Sequence, residues 1–153
     1  MSYKFKRLTN TNLKELKQLR LVFAEAFAEK EAYSKIPSNE YLESILSDPK
    51  CIILVAVDIQ NLVVGGIVAY ELCKIEIETS EVYLYDLAVE KEHRRKGIAT
   101  QLILNLKAVA KEINAKIIFV QADNEDVEAV ALYTKLSSVI EKDITHFDIS
   151  TTI

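Results

Sequence analysis

The stretch EVYLYDLAVEKEHRRKGIATQLI, residues 81–103, changes its period once, and that change decides the fold. EVYLYDLAV alternates like a strand: Val82, Leu84, Asp86 and Ala88 fall on one face, Tyr83, Tyr85, Leu87 and Val89 on the other. Past the charged segment, Ile98, Leu102, Ile103, Leu106, Ala110 and Ile113 recur at steps of mostly three and four. That spacing predicts an amphipathic helix over 97–113. Between the two lies HRRKGIAT, with three cations at the start of a helix. Cations there oppose the helix dipole. Either they face water as a solvated basic turn, or an anion meets them. Free first-turn amides can converge on a phosphate. Gly97 lets a bulky anion approach the backbone. Arg94, Arg95 and Lys96 would balance its charge, Thr100 offers a hydroxyl, and a diphosphate suits the set. The residues alone leave both readings open.

Outward from this unit, YKFKRLT (3–9) reads as a first strand. Asn10 or Thr11 can cap a helix carrying Leu13, Leu16, Leu19, Val22, Phe23 and Phe27 on one face. Pro37 breaks the chain, and Ser38 or Asn39 can cap a short helix through Leu46. CIILVAV (51–57) and LVVGGIVAYELC (62–73) are strands about the turn DIQN, and KIEIETSE (74–81) loops out or extends the second of them. KIIFVQA (116–122) is a strand, 125–136 a helix, and a last strand lies around THFDI (145–149). The order predicts an α/β (α+β) domain with a mixed central sheet and helices on both faces. Its 153 residues fit one domain, 1–153.

With 50% hydrophobic and 27% charged residues the chain can build a core. Its net charge of −4 makes nucleic acid no obvious partner and suits a cationic ligand. Neither a signal-peptide core nor an apolar run of membrane-spanning length is present, so no membrane partner and a cytoplasmic location are expected. Cys51 and Cys73 sit in apolar strands and read as reduced core thiols. His93 reads as part of the loop and His146 as a strand residue, too far apart to suggest a metal. No metal is expected.

RRKGIA (94–99) resembles the R/Q-x-x-G-x-G/A signature of the GNAT superfamily of N-acetyltransferases, with Arg94, Gly97 and Ala99 at its defined positions. AVALYTKL (129–136) resembles the superfamily's second signature, through Ala129 and Tyr133. EVYLYDLAVEKEHRRKGIATQLI, FVQAD, AVALYTKL and HFDI together are similar to the aminoglycoside 3-N-acetyltransferases, over about residues 7–149. YLESIL and VVGGIVAY fit the same branch more weakly. One departure is the segment SSVIEKDIT, which begins with Ser137 where that branch usually has glycine and takes a longer path to HFDI.

The resemblance implies a GNAT-like fold with a mostly antiparallel sheet. It also implies acetyl-coenzyme A as cosubstrate and acetylation of an aminoglycoside amine, at the 3-N position, by direct attack on the thioester. The pyrophosphate would lie on the loop from Arg94 through Arg95, Lys96, Gly97, Ile98 and Ala99 to Thr100. The strand end Leu87, Ala88 and Val89 would lie along the cofactor, with the N–H of Val89 or a neighbour facing the oxyanion. Ala129 and Tyr133 would complete that site. Tyr133 is the expected acid for the leaving thiolate; without the family it reads as a core tyrosine. A homodimer is an expectation from the same resemblance.

Amine attack needs a base unless the amine arrives neutral or loses its proton through water. An apolar setting between Leu84 and Ala88 would raise the pKa of Asp86 and make it a better base than a free aspartate. A solvent-facing strand or a structural hydrogen bond is the plainer reading. In ADNEDVEA (122–129), acidic residues suit a helix N-terminus. Asp123 and Asp126 are the candidates to hold a polycationic amine, because QAD resembles the aminoglycoside branch and Asp126 stands where the superfamily often has asparagine. Glu125 and Glu128 read as surface charge. The alternatives are a GNAT enzyme for another small amine or a protein N-terminus, and a coenzyme A-binding module without catalysis.

Overall fold

The structure, a computed structural model, describes residues 2–152. The chain divides into two compact units, one up to Gln121 and one from Ala122 onward. The first holds a five-stranded sheet in the order β1 (Lys4–Arg7), β2 (Cys51–Val57), β3 (Val63–Cys73), β4 (Ser80–Val89), β5 (Ala115–Val120). The first three pairings are antiparallel and β4–β5 is parallel. Short connections join β2 to β3 and β3 to β4, whereas α1 and α2 lie between β1 and β2. Between β2 and β3, Asp58 Oδ1 accepts from the N–H groups of Gln60 and Leu62, and Asn61 takes a left-handed φ of 60°. The parallel pair requires a crossover, and α3 (Ile98–Glu112) supplies it.

Helices cover both faces, as the element order predicts. α1 (Leu13–Ala26) and α2 (Asn39–Ser47) pack on one face, α3 on the other. The helical spacing of Leu16, Leu19 and Phe23 buries them with Leu42, Leu46, Ile53, Val55 and Ala88 in one cluster. Leu102 and Leu106 are fully buried from α3. All seven residues of β2 are buried, as expected of a strand covered on both faces. Gly66 lets α1 come close: a Cβ there would stand 2.6 Å from Leu19 Cδ1 and 2.6 Å from the Leu54 carbonyl.

Several boundaries differ from expectation, each for a local reason. The cap of α1 is Asn12, not Asn10 or Thr11; its Oδ1 accepts from the Thr9 N–H, turning the chain into the helix. Ser38 caps α2 as expected, accepting from the Tyr41 N–H at 3.2 Å. Cys51 is buried, and burial pushes its thiol up to about 11. Cys73 is not a core thiol. It ends β3, where burial has already fallen off from Tyr70 onward.

The second unit contains α4 (Val127–Leu136) and an irregular tail. The strand expected around THFDI does not form: residues 137–149 are exposed and take no strand conformation. His146 is therefore a tail residue, bonded through Nε2 to Asp148 Oδ1 at 3.0 Å.

Candidate functional site

The first element of the site is a β-bulge in β4. Val68 pairs with Asp86, but its neighbour Ala69 pairs with Leu84, so Tyr85 is an extra residue. The extra residue reverses the alternation. Leu84 lies opposite Ala69 on the α3 face, whereas Asp86 and Ala88 lie opposite Val68 and Gly66 on the α1 face. The single face of Val82, Leu84, Asp86 and Ala88 expected from alternation is thus corrected. Asp86 shares its face with Ala88 but not with Leu84.

On that face Asp86 is half-buried, and its carboxylate has no hydrogen-bond partner among the described residues. Burial raises its pKa, and the Glu29 charge raises it further. Tyrosines surround the position. Tyr70 and Tyr83 each meet Tyr85 edge to face, with centroids 5.7 and 5.5 Å apart. Tyr83 also stacks on Phe119 at 4.7 Å. Tyr33 and Tyr70 have raised pKa values, chiefly through burial, with the Asp86 charge adding to both. Sequence reasoning missed Glu29, Tyr33, Tyr70 and Tyr85 as a group. Glu29 and Tyr33 lie in the connection between α1 and α2, which has no period to read. The clustering of Tyr70 with Tyr85 depends on a cross-strand register that sequence does not carry.

The second element is an opening in the sheet. Pairing of β4 with β5 stops at Leu84 and Val120, so β5 does not continue beside residues 85–89. The Glu90 N–H donates to the Val64 carbonyl. Antiparallel alternation then directs the backbone groups of Leu87 and Val89 away from β3, toward the open side. The Val89 carbonyl accepts from Arg94 Nε at 3.0 Å, which straps the loop to the strand end.

The third element is the loop itself. A 3-10 turn, Lys91–His93, leads into it, and His93 Nδ1 meets the Tyr3 hydroxyl at 3.0 Å. Arg95 and Gly97 take left-handed φ values of 61° and 80°. Gly97 is the N-cap of α3, and no side chain caps that helix. The Gln101 N–H closes the first turn on the Gly97 carbonyl. The N–H groups of Ile98, Ala99 and Thr100 precede it and have no helical acceptor. A Cβ on Gly97 would meet no atom within 4 Å, so the space before these donors is open. The helix expected over 97–113 begins one residue later, because Gly97 supplies the turn into it. Lys96 Nζ donates to the Glu92 carbonyl at 2.8 Å.

The remaining candidates belong to the second unit. Asp126 is the N-cap of α4, its Oδ1 accepting from the Ala129 N–H at 2.9 Å. Asp123 Oδ1 accepts from the Glu125 N–H, and its carbonyl from the Asp126 N–H. Both thus have local helix-start roles. Tyr133 is half-buried. Its carbonyl accepts from both the N–H and the hydroxyl of Ser137, and the two bonds close α4. Leu87 to Thr100 therefore form one continuous strand–loop–helix, with Asp86 beside it on the α1 face. No group of three or more His, Cys, Asp or Glu that could hold a metal occurs among the described residues.

Residues 14–137 match the acetyltransferase (GNAT) family. No match is found among curated proteins. Of the solved structures, an aminoglycoside acetyltransferase from an uncultured soil metagenomic sample is 42% identical over 99% of this chain and 100% of its own, with a TM-score of 0.94. A second aminoglycoside acetyltransferase, also from an uncultured soil metagenomic sample, is 30% identical over 98% of this chain and 97% of its own, with a TM-score of 0.88. It has been solved with trehalose and with sisomicin. The chain belongs to the acetyltransferase (GNAT) family and is an N-acetyltransferase.

Proposed function

We propose that this N-acetyltransferase transfers the acetyl group of acetyl-coenzyme A to an amine of an aminoglycoside, at the 3-N position by resemblance. The observation that carries the reading is Asp86: a half-buried, unpartnered carboxylate among tyrosines, beside an opening in the sheet. An amine cation suits both the carboxylate and the aromatic faces. The sisomicin complex of a relative supports the same acceptor class.

The donor site fits its group. Uncapped first-turn amides, left-handed Gly97 and open space in front of it suit a diphosphate. Ile98, Ala99 and Thr100 would hold it through their N–H groups, with Arg95 and Lys96 adding charge. Acetyl-coenzyme A supplies an activated acetyl thioester. The chain's own residues then do three things. Asp86 accepts the proton of the amine. The N–H groups of Leu87 or Val89 face developing negative charge on the carbonyl oxygen. The Tyr133 hydroxyl, assigned by the resemblance, gives a proton to the departing sulfur. Asp123 and Asp126 are proposed, from the resemblance, to hold the polycation in addition to making their bonds at the start of α4.

The test is thiol release from acetyl-coenzyme A with sisomicin and other aminoglycosides, polyamines and peptides. Aminoglycosides are expected to react. Thiol release with peptides or polyamines alone would overturn the substrate. Asp86→Asn is expected to lower kcat by about 100-fold or more, as loss of a general base does. The pKa of Asp86 is raised, so the wild-type rate should climb as pH rises through it, and the variant should lose that limb. Stability moves the other way. A carboxyl whose folded pKa exceeds its unfolded one destabilises the fold when ionised. Asp86→Asn should therefore melt higher at neutral pH, and the gap should close as pH falls through the folded pKa.

A further inference from the structure

Along α2 and its C-cap, Tyr41, Ser44, Ile45 and Asp48 recur at steps of three and one, a stripe beside the buried Leu42 and Leu46. With Cys51 and Tyr70, which pair across β2 and β3, they line an open concavity of about 250 Å³. Tyr41 and Tyr70 are 58% and 38% exposed and give it aromatic walls. None of these lining residues is a cation. Nearby cations have other partners: Arg7 donates to the Pro49 carbonyl, and Lys50 bonds Cys73. Asp48 gives the concavity its charge. It stands at the C-terminus of α2, where the helix dipole is already negative and the last turn holds no basic residue. Its Oδ1 accepts from the Lys50 N–H at 2.9 Å, which fixes the carboxylate there. Both the dipole and the carboxylate favour a cation. Tyr70 also meets Tyr85 edge to face and feels the charge of Asp86, so the concavity adjoins the acceptor carboxylate.

We propose that this concavity is a second acceptor subsite: a ring of the aminoglycoside other than the reacting one lies on Tyr41 and Tyr70 and sets its ammonium against Asp48. The occupant is cationic because the lining carries one charge, a carboxylate, and tyrosine faces attract the same ion. An aminoglycoside carries amines on several rings, so one can meet Asp86 while another is held at Asp48. The subsite presupposes the acceptor proposed above and decides among amines. A small amine fills the reacting position alone, and a molecule of several rings fills both.

Asp48→Asn keeps the Oδ1 acceptor for the Lys50 N–H and removes only the charge. It and Tyr41→Ala should each raise KM for sisomicin about threefold and leave kcat unchanged, the size expected of exposed charge and cation–π pairs. Added salt should shrink the difference between wild type and Asp48→Asn, which a loss of packing would not do. For 2-deoxystreptamine, the single ring that bears the 3-N amine, neither variant should change affinity or KM. Glu43→Gln removes an exposed charge of α2 outside the concavity and should change neither. Thermal melting checks that each variant folds. Calorimetry of sisomicin without acetyl-coenzyme A reads binding alone and separates the subsite from the reaction. Weaker binding to Asp48→Asn, with no acetyl transfer by wild type, would leave the subsite standing and overturn the acceptor reading. Transfer with equal KM in wild type and both variants would overturn the subsite and leave that reading. An equal rise for 2-deoxystreptamine, or no binding of sisomicin, would overturn the subsite as well.

Discussion

In the unit that ends at Gln121, β2 buries seven residues in a row, and Leu19, Leu102 and Leu106 have no accessible surface. In the unit that begins at Ala122, no described side chain is buried, although α4 and the tail carry Val130, Leu132, Ile140, Ile144, Phe147 and Ile149. The sequences are comparably apolar; the difference is the number of layers available. A sheet with helices on both faces removes its side chains from water. A ten-residue helix with an irregular tail cannot do so alone. Apolar residues therefore report a need for burial, and α4 with its tail does not meet that need by itself.

The widest contrast is in stability. Leu19→Ala is expected to cost about 2–5 kcal/mol, because Leu19 fills the space against Gly66 and α1 cannot collapse without shifting. Leu132→Ala, half-buried in α4, should cost about 1 kcal/mol or less. Denaturant titration of both variants checks this; equal losses would break the comparison.

Smaller effects sharpen it. Gly97→Val should cost about 1–2 kcal/mol, because Gly97 has a left-handed φ while its surroundings are open. Coenzyme A should bind about tenfold more weakly to a folded variant, as read by calorimetry. Unchanged binding would remove the loop from the site. Asp126→Ala should remove the cap of α4, worth about 1 kcal/mol. The loss should appear as faster amide exchange over 127–136 with little change in melting temperature. A global destabilisation of the same size would mean that α4 melts with the sheet.

What could be read from the sequence follows the same division. Alternation marked β1 and β4, apolar runs marked β2, β3 and β5, and steps of three and four marked α1 and α3, whose buried faces those steps trace. Gly97 and the cations beside it marked the loop. Asp86 was found, but its setting was not, since a bulge at Tyr85 is invisible to alternation. Glu29 and Tyr33 come from a segment without a period. THFDI reads as a strand because it has the pattern of one; the pattern specifies a face to be covered, not the partner that covers it, and the segment takes no strand conformation.

The extra residue in β4 gives the strand two frames. The segment before Tyr85 sends even-numbered residues toward α3, and the segment after it sends them toward α1. Exchanging one side chain for another within β4 changes the chemistry of a position but not its destination. Deleting Tyr85 would make Leu84 and Asp86 chain neighbours, and plain alternation would still send them to opposite faces. What would go is Tyr85 itself, with its ring contacts to Tyr70 and Tyr83, and the added twist that a bulge gives a strand. The layer of Asp86 thus survives a change of length that its aromatic setting does not.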